Sequence, residues 1–154
     1  MMEPDFSLLA IAVVGIGLTF LAFFVREGIV TSNIYKQGVK FYQSKDYKAA
    51  EAAFRQVVSR HPSNDVVRLL LGDTLMQLQK LDEAIAYFQE LLDRAPNNVD
   101  AHLRLSTALL KQDKLDEAIS ALETARDLFK AQRDIPKAES VEQLLQQIKT
   151  QSLT

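Results

Sequence analysis

The hexapeptide Lys80, Leu81, Asp82, Glu83, Ala84, Ile85 recurs as Lys114, Leu115, Asp116, Glu117, Ala118, Ile119, an offset of 34 residues. A further step back of 34 reaches Asp46, Tyr47, Lys48, Ala49, Ala50, Glu51, which keeps a large apolar residue at Tyr47 and the alanine at Ala50 but loses the charge order. A fixed period of this length belongs to stacked helical pairs, because a single pair cannot bury its own apolar face. The chain is therefore constrained to an all-α, quasi-one-dimensional array.

In the same register small residues recur at Gly38, Gly72 and Ser106, and large ones at Phe41, Leu75 and Leu109. Alanine recurs at Ala50, Ala84 and Ala118, followed by Phe54, Phe88 and Leu122. Pro62 and Pro96 close the first two units, with Lys130 in the third. Small residues where two helix backbones approach, with aromatic or leucine neighbours filling the gap, are what close helix packing requires. This combined pattern resembles the tetratricopeptide repeat (TPR), whose units are antiparallel helix pairs, and it divides the chain into units at 31–64, 65–98 and 99–132. First helices are placed near 32–44, 66–78 and 100–112, and second helices near 48–60, 82–94 and 116–130. Asp82, Glu83, Asp116 and Glu117 then fall in first turns, where carboxylates suit the helix dipole.

Residues 6–25 form an uncharged run rich in Leu, Ile, Val, Phe and Ala. As a helix it spans about 30 Å, the thickness of a bilayer core. Residues 1–27 therefore read as a transmembrane anchor. A cleaved signal peptide is the competing reading, but its leader would be basic, whereas Glu3 and Asp5 precede this run and the first cation is Arg26. Arg26, Lys36, Lys40, Lys45 and Lys48 all follow the span, which places the repeats on the cytoplasmic side, in a bacterial inner membrane or a thylakoid, and the N-terminus outside. Ala12, Gly15, Thr19 and Ala22 lie within a sector of about 80° on that helix. Such a face suits a partner helix or a self-dimer, although alanine and glycine are also simply frequent in membrane helices. Gly28 and a cap at Thr31 or Ser32 are expected to separate the span from the first repeat helix.

After Phe129 the repeat fades, and residues 133–154 read as a capping helix and tail. Pro136 suits a first helical position. Val141, Leu144, Leu145 and Ile148 form the apolar stripe, and fraying is expected from Thr150.

Beyond Glu3 and Asp5, the remaining 18 acidic residues balance the 18 basic ones, so the net charge of −2 belongs to the N-terminus. A neutral, interspersed surface lacks the basic stripe that nucleic acid requires. There is no cysteine, and His61 and His102 have no partner at metal-ligand spacing. His102 reads as a packing histidine. No phosphate loop, HExxH or nucleophile set occurs, and neighbouring carboxylates on a helix do not converge, so neither catalysis nor a cofactor is expected.

The resemblance implies that first helices line a concave groove for extended or helical peptides. Its candidates here are Tyr35, Val39 and Tyr42; Leu69, Asp73 and Met76; and Leu103, Arg104, Thr107 and Leu110. The subclass that clamps the carboxylate of chaperone tails uses lysine, asparagine and arginine. This sequence has Tyr35, Val39 and Asp100 at three of those places, and only Arg104 matches. Tyr35, Tyr42 and Met76 are expected on the open face, because Phe41, Leu75 and Leu78 fill the core beside them. The implied role is a membrane-anchored docking scaffold, similar in layout to photosystem assembly factors and bacterial envelope adaptors. The alternatives are a constitutive small subunit of a membrane complex and an accessory component of an enzyme complex.

Overall fold

The computed structural model describes residues 6–151, with side chains from Val13 onward. Seven α-helices and no strand occur among the described residues: α1 (Phe6–Gln43), α2 (Tyr47–Arg60), α3 (Asp65–Gln77), α4 (Leu81–Arg94), α5 (Val99–Leu110), α6 (Leu115–Ala131) and α7 (Ile135–Gln151). Each helix packs on its neighbours in sequence, and α3 also meets α5.

The packing positions set by the repeat lie where the pattern requires them. Ala50, Ala84 and Ala118 have no exposed surface, and neither do Phe54 and Phe88. A Cβ on Gly38 would stand 2.7 Å from Phe54 Cε1, and one on Gly72 would stand 2.5 Å from Phe88 Cζ. Both glycines are therefore needed for close approach rather than for backbone freedom. In the third repeat the smaller Leu122 makes room for Ser106, whose buried hydroxyl donates to the Leu103 carbonyl at 2.7 Å.

Two kinds of turn alternate as far as α6, and the α6–α7 turn repeats the left-handed kind at Arg133, with φ of 61°. Between the helices of one repeat the chain passes through a left-handed residue: Lys45, Gln79 and Asp113 have φ of 63°, 60° and 59°. The next amide returns to the helix end, as in Lys80 N to Leu75 O at 2.9 Å, which is the Schellman pattern built without glycine. Between repeats, Asn64 and Asn98 cap α3 and α5 through their side chains at 3.2 and 3.0 Å. There the proline carbonyls are tied by equivalent side chains, Arg68 Nε to Pro62 O at 2.7 Å and His102 Nε2 to Pro96 O at 2.8 Å. Partly buried His102 thus fastens a loop.

Three expectations are corrected. α1 runs unbroken for 38 residues, about 57 Å, so neither Thr31 nor Ser32 caps a separate helix. Thr31 is instead buried mid-helix, and Glu27 pairs with Arg60 of α2 at 2.9 Å. The cause is that a lone Gly28 costs only about 1 kcal/mol in a helix, too little to break one that packs on α2. On α7, Leu144 is 39% exposed, and Ala138 takes its place beside buried Val141, Leu145 and Ile148. Finally, α7 continues past Thr150, whose hydroxyl donates to Gln146 O at 2.8 Å.

The described part of α1 from Val13 is long and apolar enough to cross a membrane, and its most apolar stretch is not buried against the protein. Gly15, Thr19 and Ala22 are exposed on it. The side chain of Ala12, and the N-terminal acids Glu3 and Asp5, lie outside the described residues.

Candidate protein-binding groove

The first helices of the three repeats are the C-terminal half of α1, α3 and α5, and the contact of α3 with α5 sets those two side by side. Tyr35, Val39, Tyr42, Leu69, Leu103 and Leu110 are half-buried, with their inner parts against the core, while Thr107 is exposed. The ring of Tyr35 tilts over Phe54 at 6.5 Å, and Tyr42 meets Tyr47 edge-on at 5.5 Å. Aromatic side chains held by packing at their base and open at their rim present contact area at little cost in conformational entropy.

Met76 departs from expectation. It is only 7% exposed and belongs to the core. A flexible thioether adapts readily to such a buried position.

Asp73 and Arg104 are brought together as a pair that the sequence pattern did not single out. Arg104 Nη1 donates to Asp73 Oδ2, and Asp73 is only 7% exposed. The spacing of 31 residues is one repeat less one helical turn, which is what places two residues on adjoining first helices. That arithmetic is the signal that could have found them. Burial pushes the Asp73 carboxyl above its ordinary range, against the pull of Arg104, and Asp100 adds to the rise. Tyr42 is also raised, chiefly by burial, then by Asp73 and Tyr47, with Arg104 opposing. Tyr42, Asp73 and Arg104 therefore form one electrostatic neighbourhood across three repeats. Within it the guanidinium is already neutralised by a carboxylate of the same chain.

No cluster of side chains able to hold a metal ion occurs among the described residues. Residues 35–99 and 69–132 match the family profile described as tetratricopeptide repeat, which covers more than half of the chain. The chain belongs to the TPR family. No curated protein matches it. Among solved structures, the TPR2B domain of yeast Sti1 in complex with pHsp70 is similar over 79% of this chain and 97% of its own, with TM-score 0.71 and 22% identity. The Yersinia enterocolitica type III secretion translocator chaperone SycD is similar over 80% of this chain and 86% of its own, with TM-score 0.72 and 21% identity. A second SycD structure contains a peptide of the translocator YopD, with TM-score 0.71, 21% identity and coverage of 79% and 93%. At these identities the likeness establishes the TPR fold.

Proposed function

We propose that this protein is a membrane-anchored TPR scaffold that docks a membrane-complex subunit during assembly, with the apolar half of α1 in the bilayer and the repeats on its cytoplasmic side. The observation that carries the reading is that α1 is continuous: its apolar part becomes the first helix of the repeat array without a break. The Glu27–Arg60 pair fastens the junction to α2. A helix that enters the domain directly holds the groove close to the membrane surface, within reach of partners in the same bilayer.

The groove suits an apolar helix or strand rather than an acidic tail. Tyr35, Val39, Tyr42, Leu69, Leu103, Thr107 and Leu110 offer the contact surface, and Met76 supports it from the core. Arg104, the one residue shared with carboxylate-clamping repeats, is occupied by Asp73. The peptide complexes of yeast Sti1 and SycD support peptide docking as the use of this fold. Neither a cofactor nor nucleic acid enters the reading. In the span, Gly15, Thr19 and Ala22, with Ala12, would receive a partner helix or a second copy.

The test is gentle detergent extraction of the full chain followed by identification of stoichiometric partners. Partners should be recovered mainly as incomplete assemblies, and Tyr42→Ala with Thr107→Glu should lose them while helicity and membrane insertion persist. Asp73→Asn, by releasing Arg104, should confer binding of a short peptide ending in acidic residues. Recovery only with the mature complex would make the protein a constitutive subunit, and loss of partners on Gly15→Leu alone would move recognition to the span.

A further inference from the structure

Second helices of successive repeats also flank a furrow over the first helix between them, and the two complete furrows differ. Between α2 and α4, Arg55 bridges: its Nη2 pairs with Glu51 at 2.8 Å and with Glu83. Its Nη1 meets the Tyr87 hydroxyl at 3.3 Å, and the guanidinium lies 6.0 Å from the Tyr87 ring centre. Lys80 adds a pair to Glu51 at 2.9 Å. One period later the corresponding residues are Gln89 for Arg55, Ala121 for Tyr87 and Ile85 for Glu51, while Glu117 still stands in the place of Glu83.

The bridge is thus missing, and a groove of about 470 Å³ opens between α4 and α6, with Leu92, Leu105, Leu109 and Ala121 among its lining and Asp116 and Glu117 at its edge. Neither carboxylate pairs with a cation among the described residues. On α5 the groove takes residues 102, 105 and 109, roughly opposite residues 103, 104 and 107 of the concave side at about 100° per residue.

We propose that this groove is a second docking surface, away from the concave one, for a partner helix that presents an arginine beside an aromatic side chain. Those are the two groups that Arg55 and Tyr87 supply within the chain one repeat earlier. The charge is complementary, since a helix bearing arginine meets an unpaired Glu117 where Glu83 already has its guanidinium. The apolar floor left by Ala121 receives the ring.

The test uses the full chain in detergent micelles with labelled methyl groups. The probe is an alanine-based helical peptide carrying tyrosine and arginine one turn apart. It should shift the methyl signals of Leu92, Leu105, Leu109 and Ala121, and replacing its arginine by glutamate should weaken binding by about tenfold, the effect of one modest ion pair. Glu117→Lys should reverse that preference. Gln89→Arg with Ala121→Tyr, which rebuilds the internal bridge, should remove binding. The proposal is overturned if the charge swap has no effect, if Glu117→Lys leaves the preference unchanged, or if the shifts appear at Leu69 and Leu103. It is equally overturned if the peptide is inert while a self-association of the chain is lost on rebuilding the bridge, which would make a second copy the occupant.

Discussion

In the second repeat Gly72 lies under the ring of Phe88, whereas in the third Ser106 faces Leu122 at the same two positions. The volume is moved from one helix to the other and the interface stays closed. On the outer side no such exchange occurs: Arg55 and Tyr87 are followed by Gln89 and Ala121, both smaller or less charged, and the surface opens. Buried positions in a stacked array are coupled in pairs because interiors are close-packed. Outer positions carry no such compensation, so the loss of Arg55 and Tyr87 at their equivalents leaves the surface open.

The packing exchange can be broken directly. Gly72→Ser should lower stability by about 3 kcal/mol, the upper part of the usual range for overpacking, because its Cβ would collide with Phe88. Phe88→Leu in the same chain should recover more than half of that, and Ser106→Gly should cost less than about 1 kcal/mol. Denaturant midpoints of the full chain in detergent check all three. If Gly72→Ser is silent, the close approach is not what selects glycine.

A smaller contrast is expected at the alanines. Ala84→Leu should cost about 2 kcal/mol and Ala118→Leu about 1 kcal/mol, since the flexible Leu122 can shift for a larger neighbour more easily than the rigid ring of Phe88. Equal losses would mean that the side-chain stiffness of Phe88 does not decide the cost.

The outer bridge is worth less and depends on pH. Burial alone would raise the Glu51 carboxyl, but hydrogen bonds from Lys80 and Arg55 outweigh it and lower the group below its ordinary value. A lowered folded value means that its stabilisation is present above the ordinary glutamate range and is lost as pH falls through the folded value. Arg55→Gln, which copies Gln89 of the second repeat, should therefore cost roughly 0.5–1 kcal/mol near neutrality, discounted because Arg55 is partly exposed, and less in high salt. The gap between variant and parent should narrow as the pH falls below the glutamate range, as read from melting temperatures.

The smallest effect belongs to a feature the repeats share. Gln79→Gly and Asp113→Gly should each stabilise by less than about 0.5 kcal/mol, since relief of the left-handed residue is largely offset by the entropy of the added glycine. Unequal gains would show that one of the two turns carries a further constraint.

Most of the solenoid was legible in the residues themselves. The carboxylates in first turns, the burial of Ala84 against its neighbour helix and the Gly–Phe pairing all follow from local periodicity, and local periodicity survives in the fold; that Asn64 and Asn98 cap α3 and α5 came from the structure. Met76 was misplaced because helix periodicity gives the direction of a side chain but not the depth of the gap it meets. The corrected α7 stripe has the same origin: Leu144 lies at the edge of the stripe that Ala138, Val141, Leu145 and Ile148 form, and helix periodicity does not say how wide the face α6 covers is.

What the sequence by itself determined is the repeat: its period, its helices, the pairs that must touch and the apolar run ahead of them. These depend on interactions between residues at fixed short spacings, or one period apart, and are therefore written in the order of the residues. Only the tertiary structure decided that α1 passes through Gly28 without a break, that Asp73 neutralises Arg104, and that the furrow beside Ala121 stays open. Each of those is set by a balance between elements that no single segment contains. Packing of α1 on α2 outweighs one unfavourable residue, burial and charge compete at Asp73, and a missing bridge becomes a groove only when both of its walls are in place.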